Sequence, residues 1–188
     1  MLSRKIGTEF FGIKAVSAEI NSLDRVIKAL GKCEFFAQAF SPRVVASAEQ
    51  VFFAYEQTQY ALLHNQSMLN DARLEFLLRI TGKRQVKGAL EGAEIRGEKG
   101  VQKILLVCAG KNKKNLAQNF KVLEKEFDFK PLPGNVDLFI RKNAKKNCAF
   151  IRKFYGINDA ELKAFGDGDA GSALAEAVLE RNALLALE

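Results

Sequence analysis

The residues best suited to chemistry are the cations of one short segment, LEFLLRITGKRQVKGALE, residues 74–91. It has no carboxylate between positions 76 and 90 and carries four cations: Arg79, Lys83, Arg84 and Lys87. We expect Gly82 to end a helix, so that these cations crowd at the start of the next one. A helix N-terminus already carries partial positive charge and unpaired N–H groups, so cations there lower stability unless an anion binds nearby. The segment therefore predicts a phosphate site, with merely solvated charges as the alternative.

Gln85 lies among these cations and favours nucleic acid as the anion. Amide and guanidinium groups can read the edges of bases, whereas ammonium groups only neutralise phosphates. The formal net charge of +7 also predicts attraction to polyanions.

A second basic segment, residues 138–158, also lacks carboxylates. It carries six cations: Arg141, Lys142, Lys145, Lys146, Arg152 and Lys153. A helix starting near Asn143 would place the last four of these on one side and its aromatic residues on the other. Membrane-surface binding is the weaker interpretation of this basic amphipathic pattern, because the core is expected to cover the apolar face.

Catalytic patterns are absent from the sequence. The single histidine, His64, has no partner at a known catalytic spacing, and the cysteines form no CxxC pair. The turn from Gly110 to Lys114 follows a buried strand but lacks the glycine spacing of a phosphate-binding loop. We therefore expect a non-enzyme without cofactor or metal. The absence of a targeting or transmembrane segment predicts a cytoplasmic protein that does not bind membranes.

The elements that must position these residues form an α/β pattern. Strands are predicted near residues 8–16, 33–40 and 102–109, in a small mixed sheet surrounded by helices, and the whole chain, 1–188, is expected to form a single domain. Leu23 to Leu30 has helical periodicity. Ser47 and Gln50 have the spacing of a capping box and predict a helix from about Ala48 to His64.

The segment NDARLEFLLRITGKRQVKGALE, residues 70–91, resembles the signature of a known family, the kinase-binding subunit of the KEOPS complex. The resemblance extends to QAFSPRVVAS at 38–47, to FIRKFYGINDAELKAFG at 150–166 and to VLERNALLAL at 178–187. It covers essentially the whole chain and looks like an archaeal member. Two positions depart from the family pattern: the family commonly has Glu where Lys83 stands and a hydrophobic residue where Asn182 stands.

The resemblance implies a non-catalytic subunit of the complex that forms threonylcarbamoyladenosine in tRNA. Such a subunit binds the single-stranded 3′ CCA end of tRNA. It also docks on the kinase subunit, which in turn contacts the catalytic threonylcarbamoyl transferase subunit. The expected surface for the tRNA end is Arg79, Lys83, Arg84, Gln85 and Lys87, with an electrostatic contribution along the acceptor arm from Lys145, Lys146, Arg152 and Lys153.

The kinase contact is assigned to apolar residues of the terminal helix: Val178, Leu179 and Leu185. The alternative for these residues is that they pack internally. Two other functions stay open: a protein-binding regulator of a small kinase that does not contact RNA, and a small enzyme that binds a nucleotide at the turn from Gly110 to Lys114.

Overall fold

The computed structural model describes residues 1–19, 26, 29–93, 101–165 and 169–187. Its helices and antiparallel sheet confirm the predicted α/β class. The chain divides into two compact units, each formed by two stretches of sequence. The first comprises Met1–Ser41 and Glu94–Val136, and the second comprises Pro42–Ala93 and Asp137–Glu188. That residues 1–188 form a single domain stays a prediction.

The first unit contains the sheet. Its strands are β1 (Leu2–Ile6), β2 (Glu9–Glu19), β3 (Ala37–Phe40), β4 (Val101–Gly110) and the short β5 (Lys130–Pro131). Their order is β1-β2-β4-β3, and β5 pairs with β2. In the central pair, Val16 lies opposite Ile104 and Gly12 lies opposite Cys108. β4 reads as a nearly continuous apolar run and is buried from Ile104 to Gly110, as expected of a central strand.

One face of this sheet is covered by helix α4 (Lys113–Glu126). Its apolar stripe contributes Leu116, Phe120 and Leu123 to the core. Gly12 is needed for this packing, because a Cβ there would lie 2.8 Å from Cε2 of Phe120.

The sheet is antiparallel at every described pairing, so the prediction of a mixed sheet is wrong. β2 and β3 run in the same direction but are not neighbours, because β4 lies between them and opposes both. Two strands joined by a helix are typically parallel neighbours in a sheet. Nothing in the sequence indicates that β4, residues 101–110, lies between β2 and β3. β1 was not predicted, and β3 is shorter than the predicted strand at 33–40. The helix predicted at 23–30 lies mostly outside the described residues, although Val26, Ala29 and Leu30 are helical.

The second unit is helical. After a 3₁₀ turn at Pro42–Val44 come α1 (Ala48–Leu63), α2 (Ala72–Thr81) and α3 (Val86–Ala93). Its later stretch contains α5 (Val136–Lys146, whose first residue belongs to the other unit), α6 (Cys148–Tyr155), α7 (Asp159–Ala164) and α8 (Ala170–Leu187). α1, α2 and α8 pack against one another. Within the described residues, none of the helices combines the length and hydrophobicity needed to cross a bilayer.

Local sequence signals account for several of these helix ends. Ser47 Oγ accepts a hydrogen bond from the Gln50 N–H, 3.1 Å away, and α1 begins and ends close to its predicted bounds. Asp71 caps α2 by accepting from the N–H groups of Arg73 and Leu74. Gly82 ends α2 in the left-handed conformation, with φ 60°, as the sequence predicted.

The single basic helix predicted from about Asn143 to Tyr155 is wrong. The segment forms two helices, α5 and α6, separated at Asn147. The Asn147 side chain donates a hydrogen bond to the Asn143 carbonyl at 2.9 Å. Asparagine competes with the helical backbone for hydrogen bonds in this way, which is a physical reason for a helix boundary here.

Candidate nucleic-acid interface

The predicted phosphate site lies at residues 82–87, called here the basic turn, between α2 and α3. Lys83, Arg84 and Gln85 precede α3, and Lys87 lies in its first turn. Arg84, Gln85 and Lys87 are exposed, and Lys83 is half-buried. The first turn of α3 contains no acidic residue. Among the described residues, no carboxylate forms an ion pair with Lys83 or Lys87, so positive charge persists at this helix start.

Lys83 connects the basic turn to the end of α6. Its Nζ donates a 2.8 Å hydrogen bond to the carbonyl oxygen of Phe154 and lies 4.5 Å from the centroid of the Phe154 ring. The last carbonyls of a helix lack intrahelical donors and carry partial negative charge, so a lysine is favourable there. Because Phe154 directly follows Lys153, this contact brings the two basic segments together at the end of α6.

Aromatic rings accompany the cations along α6. The rings of Phe150 and Phe154 stack with their centroids 5.9 Å apart. The Arg43 guanidinium lies 3.5 Å from the Phe150 centroid, so a cation faces each of the two stacked rings. All four side chains are half-buried. Cations combined with aromatic surfaces are typical of proteins that bind single-stranded nucleic acid.

A buried polar cluster beneath the basic turn holds the end of α2. The Ile80 carbonyl oxygen lies 2.8 Å from Nε2 of Gln50, 2.8 Å from the hydroxyl of Tyr155 and 3.2 Å from Nδ2 of Asn182. The three donor side chains are buried, and they come from α1, α6 and α8. They tie the residue two positions before Gly82 to three other helices. The backbone at the start of the turn is therefore fixed by the core of its unit.

Gln50 and Tyr155 also bind each other. Gln50 Nε2 donates to the Tyr155 hydroxyl at 2.8 Å, and Gln50 Oε1 accepts from the Ala46 N–H at 2.8 Å. Burial raises the pKa of Tyr155 far above its ordinary value, an effect that the hydrogen bond from Gln50 only partly offsets. The hydroxyl therefore stays protonated and can donate. The spacing of Ser47 and Gln50 predicts only a capping role for Gln50, so this buried contact is not apparent from the sequence.

Arg79 does not belong to the interface, so this part of the predicted site is wrong. Its side chain is 6% exposed and forms a 2.8 Å ion pair with Glu75, whose side chain is fully buried. Glu75 also accepts a hydrogen bond from the N–H of Leu69 at 3.0 Å. Glu75 and Arg79 are four residues apart on α2, the spacing at which oppositely charged side chains of a helix meet.

The second basic segment places its cations in two settings. Lys145 and Lys146 are exposed in the last turn of α5, where they oppose the negative end of the helix. Lys153 is exposed in the last turn of α6. Arg152 is half-buried and pairs with Asp159 at 2.5 Å, so its charge is partly compensated. Among the cations of this segment, Lys153 is the one adjacent in sequence to Phe154, the residue that Lys83 contacts.

The residues predicted to face a partner protein also differ in burial. Val178 and Leu185 are buried, so placing them on a partner surface is wrong and internal packing is the correct alternative. Leu179 is half-buried and lines a groove. Asn182 is also buried, and its Nδ2 donates a hydrogen bond to the Ile80 carbonyl at 3.2 Å. Its Oδ1 has no partner among the described residues.

The groove beside Leu179 has a volume of about 460 Å³ and lies within the helical unit. Its apolar and small lining residues include Ala46, Ala144, Cys148, Leu174, Ala175 and Leu179. Lys142 and Lys145 line it from α5, and Glu176 lines it from α8.

At the alternative nucleotide site, the turn from Gly110 to Lys114, two backbone N–H groups already donate hydrogen bonds to asparagine side chains. The Lys111 N–H binds Oδ1 of Asn115 at 3.0 Å, and the Asn115 N–H binds Oδ1 of Asn112 at 2.8 Å. A phosphate loop needs several such groups pointing at the ligand. Asparagine side chains occupy these two donors, which favours a structural role for the turn.

Comparison of the chain with protein-family models and with curated proteins finds no match.

Proposed function

We propose that this protein is a tRNA-binding, non-catalytic subunit of a KEOPS-type complex, acting in the cytoplasm in threonylcarbamoyladenosine formation. The proposal combines the resemblance at residues 70–91 with one structural observation. That observation is the basic turn, whose lysines lack carboxylate partners among the described residues and whose backbone is anchored by buried side chains. In this proposal the turn binds the 3′ CCA end of tRNA.

The chemistry of the turn supports a single-stranded end as ligand. Phosphates bind to Lys83, Arg84, Lys87 and the N–H groups at the start of α3, and Gln85 hydrogen-bonds base edges. Unpaired bases also need surfaces on which to stack, and the aromatic rings of α6 lie next to Lys83. Lys153 extends the positive surface from the turn, and Lys145 and Lys146 add charge along the acceptor arm. Arg79 has no part in it.

The protein-binding half of the proposal is docking on the kinase subunit and, through it, association with the catalytic transferase subunit. Leu179 is the residue of the expected set that retains an accessible side chain. A regulator that binds only protein is the second candidate, and the groove beside Leu179 is the observation that favours it.

The deciding experiment is a binding titration of the purified protein with full-length tRNA and with the same tRNA lacking its 3′ CCA, at two salt concentrations. We expect binding that weakens with salt and weakens further when CCA is removed. Equal affinity for the two tRNAs would contradict recognition of the tail. Absence of any tRNA binding at low salt would favour the protein-binding regulator.

A further inference from the structure

The groove of the helical unit has walls of opposite charge. Lys142 and Lys145 are exposed on the α5 wall, and Glu176 is exposed on the α8 wall. Arg141 adds to the first wall, although it pairs with Asp137 at 2.8 Å, and Glu49 lines the groove from the start of α1. Among the described residues, Lys142, Lys145 and Glu176 form no ion pair.

The floor between these walls is apolar and made mostly of small residues. Ala46 and Ala144 are buried there, and Ala175 and Cys148 are half-buried. Small side chains allow a partner to approach the helices closely, and the larger Leu174 and Leu179 give it apolar contacts. The α8 residues that line the groove run from Ala170 to Leu179, a length of roughly 14 Å at the rise of an α-helix. An elongated apolar floor between charged walls suits a short helix better than a rounded small molecule.

We infer that this groove docks an amphipathic helix of a partner protein, with acidic residues along the flank that faces α5 and basic residues along the flank that faces Glu176 on α8. The inference rests on the protein-binding half of the proposed function. The apolar stripe of the partner covers the floor, where Leu179 is the main contact. The two charged flanks fix the direction in which the helix lies, because reversing it would place like charges together.

The test is selection from a phage-displayed library of helical peptides whose flank positions are randomised among Glu, Lys and Ser around a fixed leucine stripe. We expect enriched peptides to carry acids on one flank and bases on the other. We expect them to bind Leu179→Glu at least about tenfold more weakly than the parent protein, since an apolar anchor contributes more than 1.4 kcal/mol, the equivalent of a factor of ten. Enrichment that is equal on the parent and on Leu179→Glu would overturn the inference.

Charge exchange gives a second measurement that does not depend on the folding of Leu179→Glu. Lys142→Glu and Glu176→Lys are both at exposed positions, and each is expected to change the selected residues on the flank that it faces. Lys163→Glu on α7 is the matched control, since Lys163 is exposed and does not line the groove. Unchanged flank preferences in both exchange variants would also overturn the inference. If the parent protein did not bind tRNA, that result would contradict the tRNA-binding half of the proposed function and leave the peptide result unaffected.

Discussion

Lys83 donates a hydrogen bond to the backbone carbonyl of Phe154, 71 positions further along the chain, and the same ammonium group lies above the Phe154 ring. One cation thus satisfies an orphan carbonyl at the end of α6 and still has two N–H groups that can bind phosphate. A carboxylate at position 83 could neither donate to this carbonyl nor face the ring favourably.

Replacing Lys83 with methionine is expected to lower the free energy of unfolding by about 1 kcal/mol, because a half-exposed charged hydrogen bond and a cation–aromatic contact are lost. Urea denaturation measures this change. Lys87→Met is the matched control, since Lys87 is exposed on the same turn and should stay within about 0.5 kcal/mol of the parent. Equal stability of the two variants would show that the Phe154 contact contributes nothing.

Arg84→Glu combined with Lys87→Glu is expected to weaken tRNA binding on the order of tenfold or more at low salt. The slope of log affinity against log salt should flatten by roughly 0.7 for each lost phosphate contact. Filter binding over a salt series measures both quantities. Lys121→Glu with Lys125→Glu on α4 makes the same change in net charge at exposed positions of the other unit. If that control weakened binding as much, general electrostatic attraction and not the basic turn would be responsible.

Arg79→Met is expected to destabilise the protein by about 3–5 kcal/mol, because the carboxylate of Glu75 would stay buried without its ion-pair partner. Adding Glu75→Gln should restore part of this loss, since the amide oxygen can still accept from the Leu69 N–H. The measurement is chemical unfolding of both variants. The folded fraction of Arg79→Met should bind tRNA with the affinity of the parent protein. A weaker affinity of this folded fraction would show that Arg79 takes part in tRNA binding.

Replacing either of two glycines of α3 with alanine is expected to change stability in opposite directions. A Cβ at Gly92 would lie 2.4 Å from Cζ of Phe154 and 2.9 Å from Cγ1 of Val44, so Gly92→Ala should destabilise by about 1–3 kcal/mol through overpacking. At Gly88 the nearest atom, Cγ of Lys83, would be 3.8 Å away, so Gly88→Ala should stabilise by up to about 1 kcal/mol through helix propensity. Thermal unfolding distinguishes the two. A stabilising Gly92→Ala would mean that α3 and α6 do not pack closely.

Local signals in the sequence were sufficient for the helix ends at Ser47 and Gly82, but not for the break between α5 and α6 at Asn147. Ser47 and Gly82 each act within a few residues along the chain, so their roles follow from residue type and spacing. The exposed cations of the basic turn followed from the same local pattern. The place of β4 between β2 and β3 could not be predicted, because strand pairing joins residues far apart in sequence.

Burial was the property that single-sequence periodicity estimated least well. Val178 and Leu185 belong to an apolar stripe, but a stripe alone does not say whether a neighbouring helix or a partner covers it. Arg79 is buried because Glu75 compensates its charge, and a charged residue on an exposed face would show the same spacing. The contacts of Gln50 and Asn182 with the Ile80 carbonyl span 30 and 102 positions, beyond the reach of any local pattern.

The convergence on the Ile80 carbonyl has a consequence for synthesis on the ribosome. Gln50 is translated before Ile80, but Tyr155 and Asn182 follow it by 75 and 102 positions. A nascent chain that already displays every cation of the basic turn still lacks two of the three donors that fix the end of α2. The end of α2 is therefore fixed late, when the residues around 182 have left the exit tunnel and packed, and not when the cations of the basic turn emerge.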